Sequence, residues 1–180
     1  VAAETVQFSD ENPDYPAIVI ANYIFGGSGT GSRLFARIRD KEGLSYGVQS
    51  VFNAGIKNDD GGNFLAVAFS NPQNTPKVEA SFRDELAKTL KDGFTAAELD
   101  AAKKAWLQER MVGRAQDGAM AGLLALRIRF DRTMEWDKTV EAKVAALTPE
   151  AITAAMRKYV DPAQLTFIKA GDFKKAGVLQ

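Results

Sequence analysis

Histidine and cysteine are both absent from this 180-residue chain, and each absence excludes a body of chemistry. Without histidine there is no imidazole to serve as general base near neutral pH, no proton carrier for a serine triad and no nitrogen ligand for zinc. Without cysteine there are no disulfides, no thiolate nucleophile and no sulfur-ligated metal. A metal held here would have to rest on carboxylates alone, a donor set that suits magnesium or calcium, and no EF-hand pattern is present. Long apolar runs are lacking as well: Ala17 to Phe25, interrupted by Asn22, is about half of what a membrane span needs. Neither sign of charge prevails, with 23 basic and 23 acidic residues, so no global field recommends nucleic acid or an anionic membrane as partner. The opening Val1-Ala2-Ala3-Glu4 has neither the basic start nor the apolar core of a signal peptide. With no initiating methionine, the chain is expected to be a piece excised from a longer protein.

What remains is the composition of an ordinary globular domain, 46% apolar and 26% charged, long enough to bury a core without staples. One domain over 1–180 is expected. No repeat at solenoid periods and no low-complexity linker interrupts it.

The most informative stretch is Gly26 to Val48. Four glycines at Gly26, Gly27, Gly29 and Gly31 predict a flexible loop. Ser32 is a plausible N-cap, Leu34, Phe35 and Ile38 form an apolar stripe, and Gly43 stands where a helix C′ glycine belongs. Arg39 then falls in the last helical turn and Tyr46 just past the reversal, seven residues on, so two rigid elements can bring these polar side chains together. A glycine loop before a helix could cradle phosphate. The lysine of the Walker pattern is missing, however, and the segment ahead reads as helix where the dinucleotide fingerprint wants a strand. The plainer reading is a connection between helices.

Elsewhere the pattern predicts a short strand over Thr5 to Phe8, a helix from Pro16 that is apolar on nearly all sides and therefore buried, and a strand alternating through Leu44, Tyr46, Val48, Ser50 and Phe52. The turn signal Asn58-Asp59-Asp60-Gly61-Gly62 joins it in a hairpin to Asn63–Ser70, whose Phe64 to Phe69 run is apolar on both faces and is expected to be central and covered. Helices follow from Thr75 to Gly93 and, behind the capping box of Thr95 and Glu98, to about Arg114. Three more are predicted over Gln116–Phe130, Glu135–Leu147 and Pro149–Val160, then a strand over Leu165–Ala170, Gly171-Asp172 and a frayed tail. Asp59-Asp60 reads as a turn, Glu109-Arg110 as a solvated helix face, and Trp106 and Trp136 as core or interface anchors. Strands paired by hairpin with helices segregated between them define an α+β fold, a largely antiparallel sheet covered on one face by helices.

For Arg39 and Tyr46 two readings stand. An arginine at a helix C-terminus complements the macrodipole, and a strand tyrosine packs its ring and wets its hydroxyl. Alternatively guanidinium and phenol donate hydrogen bonds to a polypeptide carbonyl as it gains negative charge. Neither accepts a proton at neutral pH, so both would assist chemistry run elsewhere.

Gly26-Gly27 through Ser32-Arg33-Leu34-Phe35, followed by Arg39-Asp40-Lys41-Glu42-Gly43-Leu44-Ser45-Tyr46-Gly47-Val48, resembles the C-terminal-type half-domain of the pitrilysin/insulinase family of zinc metallopeptidases. Asp14-Tyr15-Pro16-Ala17 is similar to that domain's opening and Lys169-Ala170-Gly171-Asp172-Phe173 to its closing strand, so the likeness spans nearly the whole chain. The resemblance implies a chamber built from two similar halves. One half carries a His-x-x-Glu-His zinc motif with a distant glutamate. The other lacks it but supplies an arginine/tyrosine pair that grips substrate, the positions of Arg39 and Tyr46 here. It further implies a possible substrate-facing loop at Gly26, Gly27, Gly29 and Gly31, shorter than the glycine-rich loop of mitochondrial processing peptidases. Zinc would be held by a partner half, upstream in the same polypeptide or on a separate subunit, and the ligand would be a peptide or protein. With no histidine the chain binds no metal of its own in this reading and is inactive alone. Many two-half bacterial relatives are exported, which implies the periplasm, the cytoplasm being the alternative. A structural or interaction module of the same descent, without peptide handling, is the competing expectation.

Overall fold

The computed structural model describes residues 1–177. Strand β1 (Ala2–Gln7) leads to α1 (Tyr15–Asn22), which widens into a π-helical turn over Tyr23–Gly27 and a short 3-10 turn over Gly29–Gly31. The basic segment Phe35–Lys41 is also π-helical, and the hairpin β2 (Gly47–Asn53) and β3 (Gly61–Phe69) follows. Helices α2 (Thr75–Asp92), α3 (Ala96–Arg114), α4 (Asp117–Arg129), α5 (Met134–Ala145) and α6 (Pro149–Tyr159) precede the short β4 (Thr166–Phe167). The sheet order is β2-β3-β1-β4, antiparallel throughout. This is the expected α+β arrangement.

The sheet has two unlike faces. Register places Val48 and Ser50 of β2, Phe64 and Ala66 of β3, and Ala2 and Glu4 of β1 on one face, and all six are buried. Against that face pack Ile18 and Ile20 of α1, Phe25, Leu34, Ile38, and Val78, Phe82 and Leu86 of α2, forming one core. The four-residue repeat of α2 is thus its buried stripe, and Pro16 stands in the first turn of a buried helix, as the pattern predicts. The opposite face carries Gln49, Val51, Asn53, Leu65 and Val67, half-buried or exposed. The expectation that β3 is covered on both faces is therefore corrected: helices lie on one side only, and Phe69 at its end is 52% exposed.

Boundaries shift where propensity is weak. The first strand begins at Ala2, not Thr5, because pairing with Phe64, Leu65 and Ala66 recruits residues of low strand propensity. β2 starts at Gly47, leaving Leu44 to Tyr46 in the connection ahead of it. The last strand is two residues long, since only Thr166 and Phe167 face β1. Asp172–Gly177 is a turn closed by Lys175 N–H on Asp172 Oδ1 (3.0 Å); residues 178–180 of the expected frayed tail lie outside the described residues. Asp59-Asp60 does lie in the turn, with Asp59 Oδ1 accepting from Gly61 N–H. Glu109 is exposed as expected and accepts from Tyr23 Oη, whereas Arg110 is half-buried in an ionic network with Asp137 and Glu141.

Glu4 is a buried carboxyl on a strand, 8% exposed, accepting the Asp161 N–H at 3.1 and 3.3 Å beyond the end of α6. Burial pushes its pKa up to about 7, against the pull of that hydrogen bond and with the Asp161 charge adding to the rise. Because the folded pKa lies above the unfolded one, ionising Glu4 opposes folding as pH climbs from about 4.5 to about 7, by roughly 3 kcal/mol at most. Urea unfolding at pH 5 and pH 8 should show Glu4→Gln relieving most of this loss. Equal pH slopes in the two proteins would refute it.

Candidate functional site

The segment from Asn22 to Tyr46 is built on the edge of β2. Asn22 Nδ2 donates to Ser50 O (3.3 Å) while Ser50 Oγ donates to Asn22 Oδ1 (2.7 Å), tying α1 to the sheet. Gly26 closes that joint: a Cβ there would stand 2.3 Å from Ser50 Oγ and 2.7 Å from Ser50 N. Gly26 and Gly27 are thus not loop residues, and Gly26 is buried because the helix backbone must approach the strand. We expect Gly26→Ala to cost about 2 kcal/mol through overpacking, read as a lower urea midpoint with unchanged m-value. Of the predicted loop, only Gly29 (φ +62°) and Gly31 remain in an exposed turn. The next helix is capped from within: Ser32 Oγ accepts from Phe35 N–H and donates to Gly29 O, as the sequence suggests.

Three arginines follow, and the structure separates them. Arg33 donates to both carboxylate oxygens of Glu98 (2.7 and 2.8 Å), to Thr89 Oγ1 and to Gly93 O, with its guanidinium over the Phe94 ring. Although burial raises the Glu98 pKa, the hydrogen bonds from Arg33 and Thr95 outweigh it and hold the carboxyl at about 2. Arg37 is engaged by Glu42 and by Asp84 of α2, and Ser81 Oγ donates to the other Glu42 oxygen. Its pKa is raised chiefly by the Glu42 hydrogen bond. Both residues are structural. Arg39 differs: its side chain is 49% exposed, and its one ion-pair partner among the described residues is the adjacent Asp40, at 3.9 Å.

The reversal between Arg39 and Tyr46 is rigid. Gly43 (φ +62°) donates its N–H to Arg39 O, Leu44 N–H reaches Ile38 O, and Asn74 of the α2 entry donates to Leu44 O. These are the closing bonds expected of a C′ glycine. Ser45, buried, is within hydrogen-bond reach of Gly47 O (2.7 Å) and Phe69 O (2.6 Å). Tyr46 N–H bonds Phe69 O, and its ring stacks on Phe69 at 5.9 Å and 24°. That backbone clamp leaves Tyr46 76% exposed. Arg39 and Tyr46 therefore flank one braced turn, both open to solvent and making no hydrogen bond to each other. Sequence reasoning missed the clamp of Ser45, Asn74 and Phe69, and the Asn22–Ser50 joint; a buried polar residue beside an exposed aromatic was the available signal only for Ser45.

This chain does not fit zinc. It offers no imidazole or thiolate, several buried or half-buried carboxylates (Asp10, Glu98, Asp137) are consumed by arginines, and no group of three potential ligands gathers among the described residues.

The fold and site define a class, an α+β domain with an antiparallel sheet open on one face and a braced arginine/tyrosine turn. The family model of the peptidase M16 inactive domain matches residues 1–106, and the chain belongs to that family. It is 30% identical over 142 residues to an uncharacterized zinc protease of Streptomyces coelicolor, covering 78% of this chain and 30% of that protein. The crystal structure of a peptidase M16 inactive domain from Pseudomonas fluorescens superposes with a TM-score of 0.76 at 26% identity, over 91% of this chain and 39% of that one. The periplasmic protease PqqL from Escherichia coli has the same fold, with a TM-score of 0.63 at 16% identity over 88% of this chain and 17% of its own. The chain thus spans well under half the length of these relatives. No helix among the described residues is long and apolar enough to cross a membrane.

Proposed function

We propose that this domain is the non-catalytic, substrate-binding half of a zinc peptidase, with Arg39 and Tyr46 donating hydrogen bonds to the backbone of a bound peptide. One observation carries the reading: of the three arginines Arg33, Arg37 and Arg39, two are spent on internal ion pairs, while Arg39 stands half exposed beside a tyrosine that the fold clamps by its backbone and leaves in solvent. Guanidinium and phenol hydroxyl are donors that can meet a carbonyl oxygen and follow it as charge develops on it. Zinc and the nucleophilic water belong to a partner half, and the periplasm is the compartment we assign.

The second reading, an architectural module, draws on a different feature. Met111 and Val112 at the end of α3 and Leu124, Leu126 and Ile128 of α4 are all exposed, Ile128 at 78%, which suits burial by another domain. The discriminating experiment mixes this domain with a half bearing His-x-x-Glu-His and follows peptide hydrolysis. Activity is expected from the mixture and from neither half alone. A complex whose turnover equals that of the zinc half alone establishes the architectural module instead.

A further inference from the structure

Next to Tyr46 lies a cavity of about 330 Å³, walled by Val48, Ala66 and Ala68 of the sheet, Val78 and Phe82 of α2, and Phe167 of β4. Its origin can be read from the register. Ala2, Ala66 and Ala68 are neighbours on the inner face, so three methyl groups stand where larger side chains would meet α2. A core selected for stability alone closes such a space, since an unfilled void forfeits contacts on every wall. Tyr46 and Phe69, stacked on each other, both line this cavity, which places its opening at the braced turn.

We propose that this cavity is a side-chain subsite that receives one bulky apolar residue, such as Phe, Leu or Met, of an extended peptide. The inference rests on the peptide-binding reading of Tyr46. Size supports it, because a cavity of about 150 Å³ already admits a benzene ring. Charge supports it too. The charged groups in the lining are Glu79, Lys169 and the Val1 ammonium: Lys169 engages Glu79 at 2.7 Å, Arg83 adds two hydrogen bonds to Glu79, and the ammonium donates to Ile168 O at 2.8 Å. A basic peptide side chain would find no free carboxylate and an acidic one only cations already engaged, and either would lose its hydration on entering. The walls offer it Val48, Val78, Phe82 and Phe167 instead.

The test is a titration of the methyl-labelled chain, followed by NMR, with three short Ser/Thr-rich peptides that differ only in one central Phe, Ala or Asp. The Phe peptide is expected to shift the methyls of Ile38, Val48 and Val78 and to bind about tenfold tighter than the Ala peptide. The Asp peptide should leave those methyls unmoved. Equal binding of all three, or shifts confined to other surfaces, overturns the subsite; this arm uses the unmodified chain and decides alone. Ala68→Leu, which fills the space, should then abolish the preference for Phe while melting no lower than the parent. Tyr46→Phe separates the two ideas. If the subsite is wrong and the peptide-binding role right, Tyr46→Phe weakens all peptides alike and no Phe preference exists. If the role of Tyr46 is wrong and the subsite right, the Phe preference survives Tyr46→Phe at unchanged affinity.

Discussion

Arg39→Ala and Tyr46→Phe, each made in the assembled two-half peptidase, will lower kcat by about a hundredfold while zinc content stays at the parent level. The magnitude is that of removing one donor aimed at the oxygen on which charge develops, typically a factor of about 10²–10³. The structure says why the loss should appear in turnover and not in folding. Tyr46→Phe deletes one hydroxyl and keeps the ring stacked on Phe69, and the backbone clamp through Ser45 and Phe69 does not involve that hydroxyl. Arg39→Ala gives up one exposed contact to Asp40 at 3.9 Å, a pair worth close to nothing. Arg33→Ala is the contrasting control. It strands Glu98, whose depressed pKa stabilises the fold above pH 4.5 and ceases to do so as pH falls toward 2, so it should lower stability before it touches chemistry. Parent-level kcat in both Arg39→Ala and Tyr46→Phe would remove these residues from the mechanism.

How much of this was legible in the sequence depends on the range of the interaction. Ser32, Gly43 and the Thr95/Glu98 capping box act within one or two turns, and the structure realises each of them. The buried faces of α1 and α2 follow from periodicity alone. Gly26 misled because a glycine needed for close approach looks the same as one needed for flexibility; the reason for it, Ser50, lies across the packing interface. Glu4 and the start of β1 were hidden for a related reason, since pairing with β3 overrode a local sequence that favours neither strand nor burial. At the candidate site, Arg39 and Tyr46 were legible as a spacing. What distinguishes Arg39 from Arg33 and Arg37 was not, because their partners Glu98 and Asp84 come from helices folded back from far along the chain.

The ionic network between α3, α4 and α5 was the least legible element, and its loss should have the largest effect on stability. Asp137 is 1% exposed and accepts from Arg127 Nε and Nη2 (2.6 and 2.8 Å) and from Arg110 Nη2 (2.6 Å). Glu141 engages Arg110 and Arg114 beside it, and the guanidinium groups of Arg127 and Arg132 lie over the Trp136 ring at 4.3 and 4.5 Å. Burial alone would raise the Asp137 pKa, but the hydrogen bonds and charges of Arg127 and then Arg110 hold it below the usual carboxylate range. Asp137→Ala leaves the buried Arg127 guanidinium without its counter-ion and Arg110 with Glu141 alone, and should cost about 3–5 kcal/mol in urea unfolding at pH 7. The sign of the pH dependence follows from the depressed pKa: the contribution of Asp137 is present above pH 3.8 and is lost as the carboxyl protonates, so the gap between parent and variant narrows in acid. Pairing Arg127→Met with Asp137→Leu removes both charges and should restore most of the stability, because breaking a buried pair is far costlier than replacing it with apolar packing. None of these groups shares a hydrogen bond with the Arg39–Tyr46 reversal, so the molecules of Asp137→Ala that remain folded should bind peptide as the parent does. A variant that unfolds at the parent urea midpoint would show that Arg110 and Arg127 are satisfied by solvent and that α4 is held by its contact with α3 alone.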